Sequence, residues 1–274
     1  MLEIFEKLLS EIRAKKPLIH QITNYVTVND CANVTLAIGA SPAMADDENE
    51  VEDFVKIASS LLINIGTLNE NMKKSMQKAT VKAKKLKKVV VLDPVAVGAS
   101  KYRTDCVKKL LKNRKISVIR GNISEIKALL GSSKNQNGAD ASSSDFESIE
   151  NSIQIAKKLA LKEKVIVALT GEIDVISDGK RAVVIESGSK LLQDITGAGC
   201  MSTSLVASFC GTNKEYLFEA TVLGVLTMAL CGEIAENLAA KDGLGSFHKE
   251  LFNQISRLDI ETIKNKGRFY EKSC

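Results

Sequence analysis

Four short β-branched, apolar runs recur along the chain with helix-length segments between them, and this alternation restricts the fold more than any other feature. The runs are 61–65 (LLINI), 89–92 (VVVL), 116–119 (ISVI) and 165–169 (VIVAL). None shows the in–out alternation of a half-exposed strand, so both faces of each must be covered. Residues 48–59, 69–87, 103–112 and 145–161 carry helical spacing. Strand–helix–strand units of this kind build a parallel sheet flanked by helices on both faces. Asp178-Gly179, between 174–177 and 181–186, marks a hairpin, so an antiparallel edge is expected on a mostly parallel central sheet. From 197 to 257 the pattern is almost wholly helical, which gives an α/β fold with a helical C-terminal third.

A chain of 274 residues can bury one large core, and the strand–helix rhythm resumes unchanged after the Ser/Asn/Gly-rich stretch 132–144. That stretch therefore reads as a surface loop inside one domain spanning 1–274. Net charge is +5, concentrated in the lysines of 78–88, whose helical spacing without aromatic residues describes a solvated helix face. No nucleic-acid partner is expected. The N-terminal residues form a charged amphipathic helix with no apolar signal core. The apolar run 220–232 is bracketed by Glu219 and Glu233 and falls short of the roughly 20 residues that span a bilayer, so it reads as a buried core helix. Six cysteines without framework spacing and only two histidines argue against disulfides and a zinc cluster, and point to a reducing cytoplasm.

In an open parallel sheet, ligands bind beyond the carboxyl ends of the strands. Three candidate strands end in polar residues: Asp93-Pro94 after 89–92, Arg120-Gly121-Asn122 with Glu125 after 116–119, and Thr170-Gly171 after 165–169. Each has a structural alternative. Asp93 can cap a turn, Asn122 with Glu125 is a helix capping box, and Thr170-Gly171 can be a plain strand exit. A fourth feature joins them. Residues 194–200 (DITGAGC) place a glycine-rich turn directly before an apolar helix, and converging backbone N–H groups at a helix N-terminus form an anion hole. Two carboxylates, an arginine and such a hole supply the parts of a magnesium–nucleotide site. A second cluster, 17–26 (PLIHQITNYV) with Asn29, Asn33 and 39–45 (GASPAMA), lies near the N-terminus. Within it His20 reads as a structural histidine, Met44 as core filler by default, and Asn29 and Asn33 as either a polar stripe or surface residues. Gly243 to His248 opens another helix, with Ser246 as its expected N-cap.

These strings, with VLDPVAVGAS, IRGNISEI, LTGEIDVISDG and DITGAGCMSTSLVASF, resemble hydroxyethylthiazole kinases over essentially the whole chain. The resemblance implies a ribokinase-like fold, ATP, Mg2+, and phosphoryl transfer to 4-methyl-5-(2-hydroxyethyl)thiazole. It also implies a homotrimer with thiazole pockets between subunits. Carried over by motif, Met44, Gly197, Asn24 and Val26 would contact the thiazole. Arg120 and Thr170 would contact ATP, with Ala198, Gly199 and Asn122 beside its phosphates. Asp93 and Glu125 would sit near the metal. Cys200, at the mouth of the glycine turn, reads either as a base or nucleophile facing the substrate hydroxyl or as a small buried hydrophobe. Alternatives on the same fold are a hydroxymethylpyrimidine kinase, an ATP-dependent hydrate dehydratase, or a thiazole-binding protein without catalysis. At the first turn of a helix, Cys200 is expected to have an enlarged thiolate fraction.

Overall fold

The computed structural model describes residues 1–112, 116–131 and 148–273; the 132–144 loop lies outside these. The strands are β1 (Leu18–Ile22), β2 (Ser41–Ala43), β3 (Ser60–Asn64), β4 (Val89–Asp93), β5 (Val118–Asn122), β6 (Ile166–Thr170), β7 (Asp174–Ser177), β8 (Arg181–Ile185) and β9 (Phe269–Ser273). They form one sheet in the order β2-β1-β3-β4-β5-β6-β7-β8-β9. Pairing is parallel from β2 through β6 and antiparallel from β6 to β9. The four apolar runs are all strands, and the Asp178-Gly179 hairpin joins β7 to β8 with Gly179 at φ 91°. The short strands β1 and β2 and the late return of β9 to the edge carry no comparable apolar run.

Helices cover both faces. On one lie α1 (Leu2–Lys15), α2 (Val28–Ile38), α8 (Ala198–Thr212), α9 (Leu217–Ala239) and α10 (Leu244–Arg257). On the other lie α3 (Val51–Ile57), α4 (Glu70–Lys85), α5 (Lys101–Leu111), α6 (Ile123–Leu130) and α7 (Ile149–Glu163). Alternate strand residues feed the two cores: Val91, Val118 and Ala168 face the first set, while Val90, Ile119 and Val167 face the second. A short α11 (Ile260–Lys266) leads into β9.

Helices α8 and α9 are buried along most of their length, as their apolar composition requires. With its flanking turns α9 reaches 29 residues, long and apolar enough to cross a membrane, rather than the shorter helix expected from 220–232. In the fold, 89% of its apolar window is buried against the sheet and neighbouring helices, so its role is that of a core helix. At the start of α10 the structure corrects the sequence: the helix begins at Leu244 with Gly243 as N-cap and no side-chain cap, so Ser246 lies inside the first turn.

Where α8 and α9 cross, Gly224 lets the backbones touch. A Cβ built there would lie 2.5 Å from the Val206 Cα and 2.7 Å from its backbone nitrogen. Neither atom can move without displacing α8. Gly224→Ala should therefore destabilise the protein by ~1–3 kcal/mol, read as a lower midpoint in urea unfolding. An unchanged midpoint would show that the two helices can separate freely.

Candidate active site

The strand order β2-β1-β3 reverses direction at β1, and a crevice opens at such a switch point beyond the carboxyl ends of the strands. Asn24 follows β1 and Asn64 ends β3, so the two amides flank that crevice. Their side chains meet, with Asn24 Nδ2 donating to Asn64 Oδ1 at 3.1 Å. Both also donate to the Cys200 sulfur at 3.2 Å. The amide orientations follow from chemistry: Asn64 Oδ1 accepts the Gly66 N–H at 2.8 Å and Asn24 Oδ1 accepts the Thr27 N–H at 3.1 Å. A backbone N–H can only donate, so each Nδ2 must face the sulfur.

From Asn64 a polar row continues across the sheet on the face covered by α8. Asn64 pairs in register with Asp93 and donates to its Oδ2 at 3.0 Å. Thr203, one turn into α8, donates to the same oxygen at 2.7 Å. Asp93 Oδ1 is buried with no partner. Extending the β4–β5 register by one residue sets Arg120 beside Asp93. Arg120 Nε is likewise buried and unpartnered. Thr170 ends the next strand, its Oγ1 buried and unpartnered as well. Thr23 Oγ1, just after β1 at the same edge, is a fourth orphan, and because buried polar atoms normally find partners this edge is a candidate binding place.

The helix α8 closes the site. Gly197, at φ 88°, is its N-cap, and no side chain caps the first turn. Its N–H groups are open to an anion. The glycines have separate steric reasons. A Cβ on Gly197 would meet Thr27 Cγ2 at 2.5 Å, and one on Gly199 would meet the Arg120 guanidinium at 2.6 Å. Arg120 therefore lies against the mouth of the helix.

Glu125 takes the capping role considered for it. Its Oε2 accepts the Asn122 N–H and its Oε1 the Ala96 N–H, each at 2.8 Å, while Asn122 Oδ1 accepts the Glu125 N–H, which completes the capping box. It is also electrostatically tied to Asp93. Burial, then the Asp93 charge, pushes the Glu125 carboxyl up to about 7. Burial also raises Asp93, with Arg120 opposing.

Other expectations resolve as follows. Val26 is exposed beside the site, and Met44 is half-buried just beyond β2. His20 is buried and its Nε2 contacts the Ala45 carbonyl at 2.7 Å, the structural role expected of it. Asn29 and Asn33 are surface residues. The sequence reading did not single out Asn64, Thr203 or Asp174. Asn64 lies within the apolar run 61–65, where a polar residue ending the strand is a detectable signal.

One electrostatic expectation is overturned. The Cys200 thiol is pushed up to about 11, first by burial and then by the Asp93 charge, which together outweigh the helix N-terminus and the amide donors. Cys200 is a neutral thiol near pH 7. Peptide-resolved alkylation with iodoacetamide should find it sluggish at neutral pH, gaining rate as pH rises toward about 11. A reactivity midpoint below that of an ordinary cysteine would contradict this balance.

Among solved structures, a ribokinase-like superfamily protein from Enterococcus faecalis superposes with TM-score 0.62 at 12% identity, covering 95% of each chain. The fold is thus that of the ribokinase-like proteins. The model of the hydroxyethylthiazole kinase family matches residues 9–261, and the chain belongs to that family. Hydroxyethylthiazole kinases of Clostridium beijerinckii and Ruminiclostridium cellulolyticum are 50% and 51% identical to it over 265 residues, 96–97% of this chain and 96% of each relative. The structure of the hydroxyethylthiazole kinase protein from Pyrococcus horikoshii matches with TM-score 0.89 at 35% identity, covering 99% of this chain and all of that one.

Proposed function

We propose that the protein transfers the γ-phosphoryl group of ATP to the hydroxyl of 4-methyl-5-(2-hydroxyethyl)thiazole, a step of thiamine salvage. The observation that carries this reading is the uncapped first turn of α8, which has Arg120 against Gly199 and the Cys200 sulfur at its rim. Phosphoryl transfer depends mostly on alignment and charge neutralisation. The Ala198–Gly199 amides receive the transferring group, and Arg120 neutralises its charge. Thr170 and Asn122, at the ends of β6 and β5, border the phosphates. Gly197, Asn24, Val26 and Met44 border the thiazole, with Asn24 reaching it from the amide pair on Cys200.

Among the described residues no cluster of three acidic, histidine or cysteine side chains could hold a metal ion on its own. That suits Mg2+, which takes one or two carboxylates and completes its shell with phosphate oxygens and water. Asp93, whose Oδ1 is free, and Glu125 would hold it, and when bound it would neutralise charge on the phosphates.

Cys200 faces the acceptor hydroxyl as the proton acceptor. With its thiol near 11, little thiolate exists at neutral pH, so this step contributes less than the ~10²–10⁴ of a well-matched base. An aspartate would meet the same two amide donors as an acceptor. Cys200→Asp should keep or raise kcat, and Cys200→Ala should lower it by less than ~10². A Cys200→Asp protein that folds and binds both substrates yet turns over nothing removes Cys200 from the chemistry. An ADP-release assay with hydroxyethylthiazole, with hydroxymethylpyrimidine and with no acceptor tests the reaction itself. Release driven equally by the pyrimidine, or by no acceptor, refutes the thiazole assignment.

A homotrimer suits the surface beside the site. Tyr25, Val26 and Leu36 are 73%, 60% and 57% exposed along the rim and outer face of α2. A second copy covering them would close the thiazole pocket. Leu36→Glu should shift the particle mass in light scattering to that of a single chain and raise KM for the thiazole. A variant that stays assembled with unchanged KM excludes this face as the interface.

A further inference from the structure

One buried acidic side chain near the site has no part in the scheme above. Asp174 opens β7, and the pairing of Leu169 with Val175 sets it across from Thr170. Ile176, two residues on, packs into the core beneath α8 and α9, so Asp174 faces the same side of the sheet as Asp93 and Arg120. Its Oδ1 accepts the Gly171 N–H at 2.9 Å and so closes the turn between β6 and β7. On β5, Arg120 pairs with Ala168, which places it two residues below Thr170 on that same face. Burial pushes the Asp174 carboxyl up to about 7, opposed first by the Gly171 N–H and then by the Arg120 charge, so it carries its full charge above neutral pH.

The arrangement differs from an ordinary ion pair. A bidentate pair would use up the guanidinium fork, whose donors lie in a fixed plane. Here Arg120 Nε has no partner, and the guanidinium lies against Gly199 at the mouth of α8. Asp93 beside it in register and Asp174 across β6 both act on the guanidinium through charge, and neither takes up its Nε. We propose that Asp174 is a positioning residue for the nucleotide phosphates, steering Arg120 toward the first turn of α8 by its charge and fixing the Thr170–Gly171 peptide by its hydrogen bond. This rests on the reading that Arg120 meets the phosphates of ATP.

The two actions separate by mutation. In Asp174→Asn the amide oxygen still accepts from Gly171, so the turn is retained and the charge is lost. Asp174→Ser does the same with a hydroxyl and serves if the first variant does not fold. The probe is the methylene-bridged analogue of ATP with Mg2+, titrated calorimetrically into the intact protein at about pH 8. Asp174→Asn should weaken its binding by ~10-fold while KM for the thiazole stays within about twofold. In an Arg120→Ala background the same change should have no further effect, because nothing is left to steer. Unchanged or tighter binding by Asp174→Asn, or the same loss with Arg120 absent, overturns the proposal. If Arg120→Ala binds the analogue as wild type does, the phosphate reading of Arg120 fails and the proposal with it. If Arg120→Ala weakens binding and Asp174→Asn does not, only the role of Asp174 fails.

Discussion

The site depends on the immobility of α8. Its first turn must hold open N–H groups over the sheet edge, and an uncapped helix end stays in place only when the rest of the helix is fixed. Burial around most of its circumference does this, together with the close approach of Gly224 to the Val206 backbone and the Ser60 hydroxyl donating to the Ala207 carbonyl at 2.8 Å. Thr203 adds a polar tie to Asp93 from within the first turns. The anion hole is thus a consequence of core packing further along the same helix.

A second constraint is electrostatic. Asp93, Glu125 and Asp174 are buried on one edge, and the half-buried Arg120 guanidinium acts on each of them. Burial raises all three carboxyls, and Arg120 opposes it in each. With Glu125 and Asp174 both near 7, the charge of this edge changes around neutral pH, and a bound cation would favour the ionised carboxylates. Burial first, and then the Asp93 charge, suppress ionisation of Cys200, which leaves the thiol a poor proton acceptor.

Much of this was legible in the sequence, and for identifiable reasons. Fully buried parallel strands announce themselves as unbroken apolar runs, and all four were found. Glycine-rich turns before apolar helices announce an N-terminus, and α8 begins at Ala198 as that turn implies. The asparagine–glutamate spacing gave the capping box of α6. What escaped were features set by tertiary pairing. The strand β9 has a mixed FYEKS sequence and exists because β8 offers it an edge, aided by Arg268 bonding to Glu233 and to the Glu186 carbonyl. The partnership of Asn64 with Cys200 joins residues 136 positions apart and has no local signature. The thiol misjudgement has the same origin: the helix terminus is visible in sequence, whereas the burial and the neighbouring carboxylate are not.

The two margins of the sheet differ from its centre in a way that bears on assembly. At one margin β2 is only three residues long and carries Pro42, which has no N–H to offer. At the other, β9 presents Glu271 and Lys272, with Lys272 held by Glu150 at 2.6 Å. Short length, proline and charge are the devices that stop strands of separate molecules from joining edge to edge. Continuation of the sheet into a neighbouring molecule is therefore disfavoured at both margins.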